Sequence, residues 1–154
     1  MSPSMVVDGY NVIYAWDDLR ALLDDSLERA RERLVARLAT LAQMTGTAVA
    51  VVFDAARGPS PRGSEELRDG VRVVFTARGS TADHAIERMA YRARREGESL
   101  LVATSDRLHA DLLRGMGAAV IDAEQLRRRV EDAERDLGRR LRLHARGGPF
   151  GSAR

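Results

Sequence analysis

Ala48-Val49-Ala50-Val51-Val52-Phe53, followed at once by Asp54, is the stretch that decides how the rest of the chain is read. It is apolar at every position, whereas a strand with one wet face alternates apolar with polar, so it predicts a short strand buried on both faces. Working outward, four further segments read as strands: Met5-Val6-Val7, Val71 to Phe75, Leu100 to Ala103 and Ala118 to Ile121. Long amphipathic stretches separate them, and that alternation predicts an α/β fold, a mostly parallel sheet of about five strands with helices on its faces.

The intervening helices follow from spacing. Leu27, Ala30, Leu34, Leu38 and Leu41 repeat with helical period, Asp25 with Glu28 suggests a cap and Gly46 a stop. A shorter helical piece over about Asp17 to Leu23 precedes it. Ala82, Ile86, Met89, Ala90 and Ala93 form a second stripe, with Ser80 or Thr81 as cap and Gly97 as terminator. Leu108, Leu112 and Leu113 mark a short helix, and Leu126, Val130, Ala133, Leu137 and Leu141 mark an arginine-rich C-terminal one. Ala55 to Gly70, carrying Gly58, Pro59, Pro61 and Gly63, is expected to be a mobile loop. Residues 1–146 are expected to form one domain, and 147–154, rich in glycine, a flexible tail.

Composition excludes several chemistries. The 154 residues include no cysteine, so disulfides, thiolate nucleophiles, iron–sulfur clusters and Cys-ligated zinc are ruled out. All 25 basic residues are arginine, and without lysine there is no Walker-type phosphate loop, Schiff base or lysine general base. His84, His109 and His144 have no helical His-x-x-x-His spacing, so zinc is not expected. A formal charge of +2 does not by itself establish a nucleic-acid partner. With no apolar stretch long enough to span a bilayer and no basic-then-apolar leader pattern, a soluble cytoplasmic protein without a membrane partner is expected.

The informative feature is where acids fall. In open α/β sheets, ligands bind at the carboxyl ends of the strands. Asp8 ends the first strand, Asp54 ends the second, Asp83 opens the helix after the third, and Asp106 follows the fourth. If the strands are parallel, all four converge on one edge, and such crowding of like charge calls for protonation or a cation. An oxygen-only ligand set, expected with no Cys and few His, suits Mg²⁺ or Mn²⁺, and carboxylate-held ions of this kind support in-line phosphodiester hydrolysis. Gly9 would permit close approach, and the Asn11 amide would orient a water. Taken singly, Asp83 and Asp106 also read as helix-start aspartates, Asp54 as a loop opening and Asp8-Gly9 as turn chemistry.

Several ordered motifs add to this: Val7-Asp8-Gly9-Tyr10-Asn11-Val12-Ile13, Val52-Phe53-Asp54-Ala55, Val74-Phe75-Thr76, Gly79-Ser80-Thr81-Ala82-Asp83 with Ile86-Glu87-Arg88, and Ala103-Thr104-Ser105-Asp106-Arg107. Together, over about residues 5 to 130, they resemble the YacP-like branch of the NYN-domain proteins, within the PIN-like nucleases. The resemblance implies a three-layer α/β/α sandwich and a divalent-metal-dependent endoribonuclease, with family members that associate with the ribosome and cut mRNA there. By position it implies Asp8, Asp83 and Asp106 as the principal metal-binding acids and Asp54 and Asn11 as supporting members, with Thr104 and Ser105 shaping the edge through their hydroxyls. The sequence departs from the expected pattern at His84, which follows the acid, and in the segment 55–70, which is shorter and less basic.

For a single-stranded RNA substrate, Arg57, Arg62, Arg68, Arg78 and Arg107 are expected at the same edge, where they would grip phosphates. Tyr10, Tyr14 and Trp16 either stack bases or, for the latter two, pack beneath the first helix. The arginines of the last helix are a solvated face or a contact for ribosomal RNA. Rival readings are a phosphoacceptor receiver, which needs a lysine this chain lacks, and a haloacid-dehalogenase-type phosphatase, which needs an aspartate where Tyr10 stands. A catalytically silent RNA- or ribosome-binding module is the remaining alternative. A binder of that kind gains nothing from acids facing phosphate.

Overall fold

A computed structural model describes residues 3–54 and 62–147. Six strands form one sheet in the order β3-β4-β2-β1-β5-β6, with β1 Met5–Asp8, β2 Val49–Phe53, β3 Ser64–Arg68, β4 Val71–Phe75, β5 Leu101–Ala103 and β6 Ala119–Ile121. β1 pairs in parallel with β2 and β5, β2 with β4, and β5 with β6, while β3 runs antiparallel to β4. The fully buried patterns of β1 and β2 confirm the two-sided burial that their apolar runs required.

The strand pleat sorts side chains into two cores. Met5, Val7, Val49, Val51, Phe53, Val71 and Val73 face one way, packing against α1 (Gly9–Ala15), α2 (Asp17–Leu22), α3 (Leu27–Thr45) and α6 (Ala123–Gly147). Val6, Ala50, Val52 and Val102 face the other way, against α4 (Ala82–Arg95) and α5 (Arg107–Gly115). The result is the three-layer α/β/α sandwich. By the same alternation Asp8 falls on the α4/α5 side, in line with Val6.

The helix ends are set by local chemistry. Ser26, not Asp25, caps α3 by accepting from the Arg29 amide, and Gly46 closes that helix in the left-handed conformation at φ 71°. Thr81 caps α4 through the His84 amide. Asp122 and Gln125 exchange side-chain-to-amide bonds of 2.8 and 2.9 Å, a capping box at the start of α6.

Two elements depart from the sequence reading. Within the segment expected to be a loop, Ser64–Arg68 forms the edge strand β3, joined to β4 by Asp69-Gly70, both at positive φ. That turn matches the right-handed twist of a hairpin. Every residue of β3 is exposed, and its charged side chains suit an unpaired sheet edge, so it carries no apolar periodicity to read. The first part of that segment, residues 55–61, and the tail residues 148–154 lie outside the described residues, while Gly147 is still in α6. The second departure is α1, which begins directly after Asp8 with no loop between. Among the described residues, no helix is long and apolar enough to cross a membrane.

Candidate metal centre

Asp8 ends β1 at the carboxyl edge of the sheet with only 9% of its surface exposed. The Thr104 hydroxyl, just beyond β5, donates to Asp8 Oδ2 at 3.0 Å. Burial pushes the Asp8 carboxyl up to about 6, with the Asp83 and Asp106 charges adding to the rise and the Thr104 bond and His109 opposing it. Gly9 is forced by packing, because a Cβ there would lie 2.3 Å from the Phe53 ring. Its role is therefore close approach to the core, which lets the chain turn directly from Asp8 into α1.

Asp83 lies in the first turn of α4 and is half-exposed. Opposite it, from α5, stands His109, with 5% exposure. Its Nδ1 is 3.4 Å from Asp83 Oδ1 and its Nε2 is 3.5 Å from Glu87 Oε2, yet neither nitrogen has a hydrogen-bond partner. One ligand atom each from Asp8, Asp83 and His109 lie within 4.8 Å of one another. A buried carboxylate with a raised pKa, a second carboxylate and an unsatisfied imidazole make a donor set that fits a divalent cation.

Asp106, expected with the principal ligands, caps α5 through one of its two carboxylate oxygens. Its Oδ1 accepts from the Leu108 and His109 amides at 3.1 and 3.2 Å. It is outside the compact cluster but close enough for its charge to raise Asp8. Asn11 Oδ1 accepts from the Ser105 amide at 2.8 Å, so its amide ties the loop after β5 to α1. Ser105 Oγ in turn accepts from the Ala123 amide at 2.9 Å, and the Thr104 hydroxyl accepts from the Asp106 amide at 3.3 Å. These polar residues shape the edge, and Asp54, half-buried, sits at the end of the neighbouring β2.

The remaining candidates divide. Arg62, Arg78 and Arg107 are exposed, and Arg57 lies outside the described residues. Tyr10 packs on Phe53 at a centroid separation of 5.0 Å, and its hydroxyl accepts from Arg31 at 3.3 Å. Trp16 is buried, donates from Nε1 to the Ala123 carbonyl at 2.8 Å and carries the Arg37 guanidinium over its ring. It packs; Tyr14 is exposed. The sequence reading missed His109 and Glu87 as site residues. Spacing on a single helix is blind to a histidine that completes a cluster from a different element. The available signal was that His109 shares the buried face of α5 with Ala110 and Leu113, where a polar residue needs a partner.

A family profile described as the YacP-like NYN domain matches residues 5–146. The chain belongs to that family. Bacillus subtilis YacP, itself described as uncharacterised, is 39% identical over 140 residues, covering 90% of this chain and 81% of that protein. A crystal structure of Rae1 (YacP) from Bacillus subtilis superposes with a TM-score of 0.82 at 36% identity, covering 97% of this chain and 85% of the other. A mutant form of Rae1 gives a TM-score of 0.79, also at 36% identity, covering 95% and 85%. This YacP-like NYN chain thus shares its sheet and its helical layers with those structures over nearly its full described length.

Proposed function

We propose that this YacP-like NYN protein is a divalent-metal-dependent endoribonuclease that hydrolyses single-stranded RNA, and that its natural substrate is mRNA in association with the ribosome. The observation that carries the reading is the meeting of Asp8, Asp83 and His109, from three different elements, at one sheet edge. The nuclease-like fold of the NYN family and its leaning toward RNA support it.

Asp8, Asp83 and Asp106 would hold Mg²⁺ or Mn²⁺, with Asp54 and Asn11 as supporting members. A bound ion supplies positive charge that polarises a phosphodiester and stabilises the leaving oxygen. The chain does the rest. The Thr104 hydroxyl fixes one oxygen of Asp8 and favours its ionised form. Asn11 and Ser105 brace the loop that carries Thr104 and Asp106. Hydrolysis takes water as its nucleophile, and no protein nucleophile is required. The exposed Arg62, Arg78 and Arg107, with Arg57, are assigned to phosphates, and Tyr10 to the substrate side of α1. The arginines toward the exposed end of α6 offer a surface for structured RNA. The working nuclease domain is residues 1–146.

The test is a translating mRNA system, run with and without chelator, followed by mapping of new 5′ ends. Cleavage that needs the divalent ion and disappears with Asp8→Asn is the expected result. RNA binding with no cleavage under any divalent ion would instead identify a silent binding module.

A further inference from the structure

The acids of the edge were legible from sequence; the histidine among them was not, and it changes what the site should prefer to bind. His109 is 5% exposed, and both ring nitrogens lack a hydrogen bond although each faces a carboxylate at 3.4–3.5 Å. A buried polar atom left unsatisfied carries the full cost of its lost hydration, so a ring with two of them is unexplained as packing. A bound cation would satisfy both nitrogens. Nδ1, on the Asp83 side, gives its lone pair to a cation, and Nε2–H donates to Glu87, the carboxylate–histidine pairing by which proteins orient an imidazole ligand.

We propose that His109 is a nitrogen ligand of the ion held by Asp8 and Asp83, positioned by Glu87, and that it biases this centre toward Mn²⁺ over Mg²⁺. The inference rests on the metal-dependent reading above and adds a ligand and a selectivity to it. Mg²⁺ is a hard ion that keeps oxygen ligands and several waters, whereas first-row transition ions accept imidazole readily. The imidazole thus raises the preference for Mn²⁺ above what oxygen ligands alone would give.

The experiment uses the full chain, stripped of ions by chelator and loaded with substoichiometric MnCl₂, and reads nitrogen coupling to the Mn²⁺ electron spin by pulsed electron paramagnetic resonance. The expected spectrum shows ¹⁴N modulation that changes to the ¹⁵N pattern when histidine is supplied as ¹⁵N, persists in His84→Gln and is lost in His109→Gln. Competition titrations should show Mn²⁺ affinity falling about tenfold or more in Glu87→Gln, with Mg²⁺ affinity changing less. Should His109→Gln fail to fold, the isotope exchange in wild-type, His84→Gln and His144→Gln protein decides by elimination. Mn²⁺ bound without nitrogen coupling overturns the His109 assignment and leaves the acidic centre standing. Failure of wild-type protein to bind Mn²⁺ at all overturns both.

Discussion

Thr104 and Asp8 lie 96 positions apart in the chain and are joined by a hydrogen bond of 3.0 Å across the paired strands β5 and β1. The same hydroxyl accepts from the Asp106 amide, so one side chain links the buried acid to the loop that begins α5. Because the bond favours the charged carboxylate, Thr104→Val is expected to raise the Asp8 pKa further, by about 1 pH unit given the usual worth of a hydrogen bond to a charged group. Thr104→Ser should stay near wild type. Divalent-cation affinity measured by calorimetry from pH 5 to 8 checks this: the valine variant should require a higher pH for the same affinity, and coincident curves for all three proteins would refute it.

Asp8 also ties stability to pH. Its carboxyl titrates near 6 in the fold against 3.8 in the unfolded chain. The folded form therefore holds the proton more tightly, and the favourable contribution is full below about pH 4 and lost as pH rises through 6. The loss amounts to about 3 kcal/mol at neutral pH, since a tenfold difference in proton affinity is worth about 1.4 kcal/mol. In the presence of chelator, Asp8→Asn should accordingly be more stable than wild type at pH 7, by up to about 3 kcal/mol, with the difference largely gone at pH 4. Urea unfolding at the two pH values measures it. Added Mn²⁺ should stabilise wild type more at pH 7 than at pH 5 and do little for the variant.

Asp83 and Asp106 should behave differently when made into asparagine. Asp83 contributes a ligand atom to the compact cluster, whereas Asp106 spends Oδ1 on two amides at the start of α5, a task asparagine performs equally well. Asp83→Asn is expected to abolish ion-dependent RNA cleavage. Asp106→Asn should keep wild-type stability and retain measurable ion binding, while Asp106→Ala should lose about 1 kcal/mol of stability. Equal loss of ion affinity in both asparagine variants would contradict this division.

What the sequence disclosed was whatever periodicity or strand-end position encodes. The unbroken apolar run at Val49–Phe53 gave a central strand, and acids placed just past strand ends gave Asp8 and Asp83, because parallel strands bring their carboxyl ends together. Ser64–Arg68 was unreadable as a strand because an exposed edge carries no apolar face, leaving only Asp69-Gly70 as a hairpin signal. Asp106 lies at the expected edge, and one of its oxygens also serves the helix, a second use that spacing does not reveal. His109 needed the packing of α5 against α4, which is tertiary information.

Arg37 tests whether α6 is held on the molecule by charge as well as by apolar contact. Its guanidinium forms paired bonds of 3.0 Å to Glu134 of α6, reaches Asp18 of α2 at 3.1 Å and lies 4.9 Å from the Trp16 ring centroid. The arginine side chain is largely buried, so removing it strands partly desolvated carboxylates and uncovers the indole. Arg37→Ala should destabilise the protein by about 2–4 kcal/mol, and Arg37→Lys should recover only part, because an ammonium makes neither the paired contact nor the stacked one as well. Urea unfolding of the three proteins measures both differences, and an alanine variant as stable as wild type would show that apolar contact alone holds α6.

The close approach of Gly9 to Phe53 gives a test of how rigidly the fold positions Asp8. A methyl group at residue 9 would meet the ring at 2.3 and 2.5 Å and the Val52 carbonyl at 3.0 Å, and the ring is itself wedged between Tyr10 and Phe75. Gly9→Ala should therefore cost about 1–3 kcal/mol through overpacking, despite the higher helix propensity of alanine. Since residue 9 directly follows Asp8, the strain should also weaken divalent-ion binding. Phe53→Leu in the same chain opens space beside the methyl group and should restore part of both losses. Thermal unfolding and cation titration on the single and double variants measure the coupling, and strictly additive effects would show that the ring does not set the position of the acid.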